Sequence, residues 1–446
     1  MIKFIRSRIQ QATDILAVIL TMEMAADAVT DSYFKAHRKM GSRDRRETAE
    51  IVFGCLRRRR ELEARLRMAG LWPIDAADAD SPDEASPLQQ EAERLVIAWL
   101  ICCYPQSLDI PFEWQHLGLP LQQALNQTPN LTDLKDALNL PDWMLASLEL
   151  TLTEAEIRSL ALAMQEEAPV DLRVAFRMSD RLLLGAELNQ AGFEVENTPF
   201  SAFGLRMLQR KPLNQSPLFR AGMFEFQDEG SQLIGWLLQP KPGERVLDYC
   251  AGAGGKTLQL ADLMNDQGEI IAADIEPSRL GRLKPRLERN QITSVRLRAV
   301  TGDGVFGEWR GQCDAVLVDA PCSGSGTLRR NPALRYQVTD LAELQQWQLQ
   351  ILDSAAQHVR PGGRLVYSTC SLLTEENEAV IRQFLESHED FSMAGVQLPP
   401  DDRTLAAISQ RTPALEEQLQ RDGCLRLWPH LHGTDGFYAQ LLLRQV

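Results

Sequence analysis

From Arg245 to Lys256 the chain reads Arg-Val-Leu-Asp-Tyr-Cys-Ala-Gly-Ala-Gly-Gly-Lys. A short apolar run ends in a carboxylate, a glycine-rich turn follows, and the segment 257–264 then has helical character. A glycine turn between a strand and a helix lets the backbone of an α/β sheet approach a nucleotide-like ligand. This stretch therefore predicts an α/β fold with a ligand site at the end of its first strand.

Three further apolar runs end in a polar residue, at 269–274, 315–319 and 364–368, and helical segments separate all of them. Strands joined in this way form a parallel, doubly wound sheet, in which the carboxyl ends of the strands open onto one cleft. We predict a Rossmann-like domain over residues 222–446, with its chemistry at these strand ends.

The N-terminal part has another periodicity. From residue 7 to about residue 70, apolar residues recur every three or four positions, as in amphipathic helices, and helix resumes near Leu88. Pro120 is expected to interrupt this helical pattern. Near Asp171 the apolar period changes to two, and short strands then alternate with a helix. We predict an all-α domain over 1–145 and a small α+β module over 146–221.

The composition is that of an ordinary globular protein, with 44% hydrophobic and 24% charged residues. The first twenty residues carry Lys3, Arg6 and Arg8 and lack a long apolar core. Neither a signal peptide nor a membrane span is therefore predicted, and we expect a cytoplasmic protein. Eight cysteines without regular spacing and six scattered histidines predict reduced thiols and no metal site.

Charge is distributed unevenly along the chain. The net charge of -14 argues against indiscriminate binding to nucleic acid. Between Asp31 and Gly70, however, twelve Lys or Arg face six Asp or Glu, and Arg57 to Arg60 are consecutive. Such a run can grip phosphates, and it can equally form a solvated helical face.

The glycine turn predicts half of a binding site. Gly252, Gly254 and Gly255 permit close approach of a ligand to the backbone. The next predicted strand ends in Asp274, whose carboxylate can accept both ribose hydroxyls of an adenosine. Asp303 is expected to close a third strand, between the runs 269–274 and 315–319, and it can bind the adenine amine. Because the dinucleotide fingerprint GxGxxG is absent, S-adenosylmethionine fits this site better than NAD.

Two cysteines follow the last two predicted strands, in Asp319-Ala-Pro-Cys322 and Ser368-Thr-Cys-Ser371. C5 of cytosine becomes nucleophilic only after a thiolate has added to C6, and a second thiol can assist the later release. Asp319 can hold a proton at N3 and so favour this addition. The target base must also leave its stack to reach a cleft. These residues together predict methylation of cytosine C5.

The remaining basic and cysteine residues have less specific interpretations. Arg329 and Arg330 follow a Ser-Gly-rich segment and either contact RNA phosphates or form a solvated cap. Cys250 is expected to line the glycine turn without reacting. Five cysteines are expected to be buried apolar side chains, namely Cys55, Cys102, Cys103, Cys313 and Cys424.

Taken together, several segments of this sequence resemble motifs of the Nol/Nop/Sun family of RNA cytosine-5 methyltransferases, and most closely those of its bacterial 16S rRNA branch (RsmB/Fmu). The resemblance covers nearly the whole chain and is carried by Phe226–Gln232, Cys250–Thr257, Val318–Thr327, Tyr367–Ser371 and Asp435–Tyr438. Upstream, Lys39–Arg46 and Ile51–Arg57 are similar to the NusB-like helical domain of that branch. The chain departs from the family in Ala253, where proline is usual, and in its acidity.

The resemblance implies a role for each matching residue. Cys370 would be the nucleophile and Cys322 would assist release, although DNA cytosine methyltransferases use the Pro-Cys thiol as nucleophile and make Cys322 a rival. Asp319 would face both the base and the donor. The S-adenosylmethionine site would be lined by Cys250, Ala251, Gly252, Ala253, Gly254, Gly255, Lys256, Asp274, Arg279, Asp303 and Asp319.

The implied fold is a class I S-adenosylmethionine-dependent methyltransferase domain, with the NusB-like domain and the α+β module before it. The implied function is methylation of C5 of a cytosine in 16S rRNA through a covalent cysteine–C6 adduct. Two alternatives stay open, a tRNA cytosine-5 methyltransferase and a catalytically silent ribosome-assembly protein that binds RNA. We expect a monomer with RNA as partner and with neither a membrane nor a metal.

Overall fold

The computed structural model describes residues 5–73, 86–104, 110–127, 133–302, 304–337, 339–395, 419 and 421–446. These residues form two units. The first comprises Met1–Glu167 with Leu328–Thr339, and the second comprises Ala168–Thr327 with Asp340–Val446. The small α+β module thus shares a unit with the large sheet, and a short segment after Cys322 belongs to the helical unit. The division at 145/146 and 221/222 stays a prediction.

The first unit is helical, as predicted. Its described helices are α1 (Arg6–Leu20), α2 (Ala26–Ala36), α3 (Ser42–Met68), α4 (Pro87–Cys103), α5 (Gln115–Gln127), α6 (Leu134–Leu138), α7 (Asp142–Leu148) and α8 (Glu154–Gln165). Ser86 caps α4 through its hydroxyl, and Thr153 and Glu156 form a capping box on α8. The core of this unit is made by α1, α3 and α4, which bury aliphatic side chains such as Leu16, Val52 and Val96.

Pro120 was expected to end a helix but lies inside α5. A proline in a helix removes one backbone hydrogen bond and normally costs about 3 kcal/mol or more. Leu117 and Leu121 of α5 are buried in the core of the unit, at 4% and 0% exposure. Their burial opposes the cost of the proline, so tertiary packing overrides the local preference.

The segment Leu328–Thr339 is fixed to the helical unit by polar contacts. Arg335 is buried and donates from Nη2 to the carbonyl of Met164 at 2.7 Å. The hydroxyl of Tyr336 donates to the carbonyl of Leu56 at 2.7 Å, and the guanidinium of Arg59 lies 4.9 Å from the centre of the Tyr336 ring. The segment is thereby an integral part of this unit.

The second unit begins with a small antiparallel sheet. It is formed by β1 (Val170–Val174), β2 (Val195–Asn197), β3 (Gly204–Met207) and β4 (Phe224–Phe226), with α9 (Arg181–Gln190) and α10 (Pro217–Arg220) between them. The strand order is β2-β3-β1-β4. The strand periodicity near Asp171 is therefore confirmed in structure.

The large sheet has the order β10-β12-β9-β8-β5-β6-β7, with β11 also paired to β12. Its strands are β5 (Arg245–Asp248), β6 (Glu269–Asp274), β7 (Val295–Ala299), β8 (Cys313–Asp319), β9 (Val359–Thr369), β10 (Phe391–Met393), β11 (Leu425–Leu427) and β12 (Phe437–Arg444). The helices are α11 (Glu229–Leu237), α12 (Gly255–Leu263), α13 (Pro277–Arg289), α14 (Leu341–Ala356), α15 (Glu378–Ser387) and α16 (Pro429–His432).

Strands β5 to β9 are parallel, whereas β12 runs antiparallel to β9. All four predicted parallel strands are confirmed. The register places Asp319 at the end of β8 beside Ser368 of β9. Since carboxyl ends of neighbouring parallel strands lie at one edge, the segments after Asp319 and Ser368 emerge side by side.

A buried ion pair fixes the small sheet to the large one. Arg173 of β1 donates from Nη1 to Asp262 of α12 at 2.6 Å, and both side chains are 1% exposed. Removing one partner of such a buried pair typically costs about 3–5 kcal/mol. The small sheet is thus held against the helix that follows the glycine turn.

None of the helices in the described ranges has the length and apolar character needed to cross a membrane. Within the same ranges, no cluster of three or more His, Cys, Asp or Glu side chains could hold a metal ion.

Candidate active site

The glycine turn (residues 249–254) connects β5 to α12. Gly254 caps α12 with a φ of +84°, and a Cβ atom there would lie 2.1 Å from Cδ1 of Leu283. Gly252 also has a positive φ, of +55°, and a Cβ there would meet nothing within 4 Å. Only glycine adopts such angles at little cost. Gly254 therefore permits close packing, while Gly252 leaves open space at the turn.

Asp274, at the end of β6, fixes the glycine turn from the side. Its Oδ2 accepts from the amide of Gly252 at 2.8 Å and its Oδ1 accepts from the amide of Glu276 at 2.8 Å. Each carboxylate oxygen has a second lone pair. Asp274 can thus accept two more hydrogen bonds next to the turn, as a ribose with two hydroxyls requires.

Two other predicted donor-site residues have different outcomes. The guanidinium of Arg279 pairs with Glu276 at 2.5 Å, and both side chains are more than half exposed. Asp303 lies outside the described residues.

A cavity of about 110 Å³ opens beside the glycine turn. It is lined by Gln227, Ser231, Asp248, Cys250, Ala251, Gly255, Lys256 and Asp319. Five of these residues were predicted at the donor site, and the cavity brings them together. Burial is the main cause that raises the pKa of the Cys250 thiol well above its usual value. A thiol that keeps its proton is a poor nucleophile.

Asp248 presents an unused acceptor at this cavity. Its Oδ2 accepts from the hydroxyl of Thr257 at 2.6 Å, whereas its Oδ1 is buried without a hydrogen-bond partner. Burial is the main cause that raises the pKa of Asp248 to about 7. A buried, unpaired carboxylate oxygen fits a cationic or N–H-bearing ligand, such as the ammonium group of an amino-acid moiety.

Sequence reasoning missed Gln227, Ser231 and Asp248 as site residues. Gln227 is held by Arg173, which donates from Nε to its Oε1 at 2.7 Å. Gln227 and Ser231 belong to Phe226–Gln232, one of the segments that carry the family resemblance. The signal for them was present in that segment, but the segment gives no hint that it folds back onto the glycine turn.

Lys256 joins the glycine turn to β8. Its Nζ lies 2.7 Å from Oδ2 of Asp319, and the hydroxyl of Ser368 donates to Oδ1 of Asp319 at 3.1 Å. Burial alone would lower the pKa of Lys256, but the nearby charge and hydrogen bond of Asp319 outweigh it and raise the pKa. Lys256 is therefore a cation, and it orients Asp319 between the cavity and the cysteine segments.

The two cysteines meet at the ends of β8 and β9. Sγ of Cys322 lies 3.4 Å from Sγ of Cys370, and both side chains are half-buried. The amide of Gly326 also donates to the carbonyl of Cys370 at 2.9 Å. The hydrogen bond with Cys370, followed by burial, raises the pKa of Cys322 well above its usual value. The structure thus brings together the two thiols that the sequence placed 48 residues apart.

The other cysteines differ in burial. Cys55, Cys313 and Cys424 are buried as expected. Cys102 and Cys103 are only half-buried, because they lie at the end of α4, where Cys103 accepts from Nη1 of Arg58 at 3.2 Å.

The arginine run is held by ion pairs inside the helical unit. Arg58 pairs with Glu61 at 2.7 Å, Arg59 with Glu91 at 2.7 Å and Arg60 with Asp136 at 3.0 Å. The run therefore forms neither a solvated helical face nor a surface open to phosphates. Its acidic partners come partly from distant helices, which the sequence pattern does not reveal.

The other basic residues differ in their exposure. Arg329, which was predicted either to contact an RNA phosphate or to form a solvated cap, is buried, at 5% exposure, so it is poorly placed for either role. The turn between α2 and α3 instead exposes a basic cluster of Lys35, Arg38, Lys39, Arg43 and Arg46. This α2–α3 cluster stands out on a chain that is acidic overall.

The sheet order, the glycine turn after β5 and the acid at the end of β6 define a class I methyltransferase that uses S-adenosylmethionine. Comparison with known proteins narrows this class. The family described as 16S rRNA methyltransferase RsmB/F matches residues 235–443. A probable ribosomal RNA small subunit methyltransferase B from Synechocystis is 31% identical over 96% of this chain and 97% of its own length. The chain therefore belongs to the RsmB/F methyltransferase family, in its bacterial 16S branch.

Solved structures agree with this assignment. The crystal structure of PH0851 is 26% identical, has a TM-score of 0.76, and matches 99% of this chain and 99% of its own. A methyltransferase homologue from Pyrococcus horikoshii is 30% identical with a TM-score of 0.55 over 68% of this chain and 100% of its own. The similarity to PH0851 extends across the N-terminal part as well as the catalytic fold.

Proposed function

We propose that the protein methylates C5 of a cytosine in 16S rRNA through a covalent bond between Cys370 and C6 of the base. The observation that carries this proposal is the pair of thiols 3.4 Å apart, at the ends of adjacent strands and joined through Ser368 and Asp319 to the donor cavity. Methylation at a ring nitrogen or an exocyclic amine needs no thiol, whereas C5 methylation needs a nucleophile at C6.

The donor side of the site fits S-adenosylmethionine. This cofactor supplies a methyl group activated by a sulfonium centre. Asp274 would accept hydrogen bonds from the ribose hydroxyls, and the Oδ1 of Asp248 would accept one from the ammonium group. The turn from Cys250 to Lys256 would line the donor, with Cys250, Ala251, Gly255 and Lys256 already at the cavity. Arg279 and Asp303 complete the proposed set.

We assign the nucleophile to Cys370 and the release step to Cys322. A thiolate, not a thiol, attacks, and two sulfur atoms 3.4 Å apart allow one thiol to attack while the other acts on the product. The family resemblance of the Tyr367–Ser371 segment favours Cys370 as the attacking thiol. Cys370 then loses its thiol proton and adds to C6, while N3 gains a proton that is held by a hydrogen bond to the Asp319 carboxylate, so that C5 becomes nucleophilic. Once C5 has taken the methyl group, a base in the site takes the C5 proton, the electrons of the C5–H bond restore the C5–C6 double bond, and the sulfur of Cys370 leaves C6 as a thiolate. Cys322, whose Sγ lies 3.4 Å from that of Cys370, assists this release.

The RNA contact is proposed for the α2–α3 cluster. Lys35, Arg38, Lys39 and Arg46 are exposed there. The arginine run further along α3, by contrast, is occupied by Glu and Asp partners at Arg58, Arg59 and Arg60. Exposed cations bind phosphates and release counterions, which supplies affinity without reading a sequence. The target base would have to leave its stack to reach the thiols.

The experiment is methylation of RNA from cells that lack this protein. Purified protein, S-adenosylmethionine and 16S rRNA are incubated, and 5-methylcytosine is mapped by bisulfite sequencing, with Cys370→Ala as the inactive control. We expect the wild-type protein, and not the control, to methylate one cytosine of 16S rRNA, which then resists bisulfite. Methylation of tRNA in place of rRNA would support the tRNA alternative, and a methyl group on another base atom would contradict the proposal.

A further inference from the structure

Glu376 is a fully buried acid that the chemistry above does not use. It ends the 3-10 turn Thr374–Glu376 that follows the Cys370 segment, and its exposure is 0%. A buried carboxylate is costly unless hydrogen-bond donors surround it. Here the donors are the amide of Ser323 at 2.8 Å, the hydroxyl of Ser323 at 2.5 Å, the amide nitrogen of the Gln348 side chain at 2.9 Å, and the hydroxyl of Ser371.

These donors flank both thiols. Ser323 directly follows Cys322, and Ser371 directly follows Cys370. Gln348, from α14, also donates to the carbonyl of Pro321 at 2.9 Å, immediately before Cys322. One carboxylate therefore connects the two loops that carry the sulfur atoms.

Further hydrogen bonds close the connection between the loops. The hydroxyl of Ser325 lies 3.0 Å from that of Ser371, and it accepts from the amide of Leu372 at 2.9 Å. We name the side chains of Ser323, Ser325, Ser371 and Glu376 the serine–glutamate clamp. It joins the two loops through side chains other than those of the cysteines.

The clamp is fixed in turn by its neighbours. The hydroxyl of Tyr367, from β9, donates to the carbonyl of Glu376 at 2.7 Å. Asn377 accepts from the hydroxyl of Thr369 at 2.6 Å and donates to the carbonyl of Ser371 at 3.1 Å. Glu376 is thus tied to the end of β9 as well as to both loops.

We propose that Glu376 is the positioning residue that holds Cys322 and Cys370 at one distance, so that both sulfurs reach the same pyrimidine. The role requires a carboxylate, because all its partners donate and an amide would present hydrogens to some of them. Glu376→Gln keeps the shape and removes this match. The inference deepens the function proposed above and rests on it only where a base is involved.

The direct test measures the distance between the thiols without RNA. Phenylarsine oxide reacts with two neighbouring thiols to give one dithioarsinite and one water, so both sulfurs must lie close together. Mass spectrometry of the digested protein counts arsenic that bridges the peptides of Cys322 and Cys370, which excludes any bridge at Cys102 and Cys103. We expect efficient bridging in the wild-type protein and a loss of roughly tenfold in Glu376→Gln, since proximity is what the variant loses.

The matched control is Glu375→Gln. Glu375 is the neighbouring acid, and its carboxylate accepts from the hydroxyl of Thr374 at 3.4 Å. We expect bridging in this variant to equal that of the wild type. Equal bridging in Glu376→Gln and the wild type would overturn the proposal.

A second variant covers the case in which Glu376→Gln does not fold. Ser323→Ala removes one hydroxyl that donates a hydrogen bond to Glu376 and leaves the carboxylate in place. The affinity for S-adenosylmethionine, measured by calorimetry, reports whether the fold is intact. We expect reduced bridging with unchanged donor affinity, and full bridging in this variant would equally overturn the proposal.

RNA methylation then separates the inference from the function. In both clamp variants we expect a lower kcat, an unchanged KM for the donor, and more protein held as RNA adduct per methyl group transferred. Conservative Glu376→Asp should restore part of the kcat. If the wild-type protein methylates no cytosine while bridging still depends on Glu376, the function fails and the positioning role stands.

Discussion

The glycine turn and the two cysteine loops lie at the same edge of the large sheet but are built by different means. The turn depends on its backbone, through the positive φ angles of Gly252 and Gly254 and the hydrogen bond that the Gly252 amide donates to Asp274. The cysteine loops are held by side chains, through the serine–glutamate clamp. A change in the turn should therefore alter donor binding through shape, whereas a change in the loops should alter the chemistry on the base.

The largest effect is expected on the loop side, from Cys370→Ala. If this thiol is the nucleophile, methylation should fall by at least about a thousandfold, because covalent activation of the base is lost. Donor affinity should not change, since Cys370 does not line the donor cavity. Radiolabelled methyl transfer and calorimetry measure the two quantities, and a parallel fall in donor affinity would break the distinction between the two regions.

On the turn side, Gly254→Ala should act in the opposite way. The added methyl group meets Leu283 and forces alanine to a φ of +84°, which together typically cost about 2–4 kcal/mol. We expect a lower melting temperature and weaker donor binding. Gly281→Ala in α13 is the control, because a Cβ atom there meets nothing within 4 Å and Gly281 does not line the cavity. Similar effects of both substitutions would contradict the account of the turn.

A smaller effect is expected from Asp274→Asn. The amide keeps the size of the side chain but places two hydrogens where the Gly252 amide and the ribose hydroxyls need acceptors. Donor affinity should fall roughly tenfold, because about 1.4 kcal/mol corresponds to one or two mismatched hydrogen bonds. The rate of methyl transfer at saturating donor should change much less. A selective loss of that rate would assign Asp274 to the chemistry instead.

How much of this comparison could be predicted from the sequence depends on the range of the interactions. The glycine turn, Asp274 and both thiols follow strand ends, and the register of Asp319 with Ser368 brings the thiols together as expected. Ser231 reaches the cavity only through the packing of α11, and Arg335 joins the helical unit through contacts with Met164 and other distant residues. Such long-range packing leaves no local periodicity, so neither placement could be inferred.

The smallest effect concerns stability and pH. The pKa of Asp248 is raised to about 7 in the folded protein, so the folded state binds more protons than the unfolded chain between pH 4 and 7. The stability contributed by this group is present at low pH and is lost as the pH rises through 7. Asp248→Asn should therefore gain stability relative to the wild type between pH 5 and pH 8, in melting curves without donor. An unchanged difference between the two proteins would show that Asp248 is already ionised at low pH.

The central claim is that Cys370 attacks and Cys322 releases the same cytosine. The direct measurement is denaturing electrophoresis of each variant after incubation with 16S rRNA and S-adenosylmethionine. We predict that Cys322→Ala accumulates a covalent protein–RNA adduct and that Cys370→Ala forms none. An adduct with Cys370→Ala and none with Cys322→Ala would contradict the assignment and exchange the roles of the two thiols.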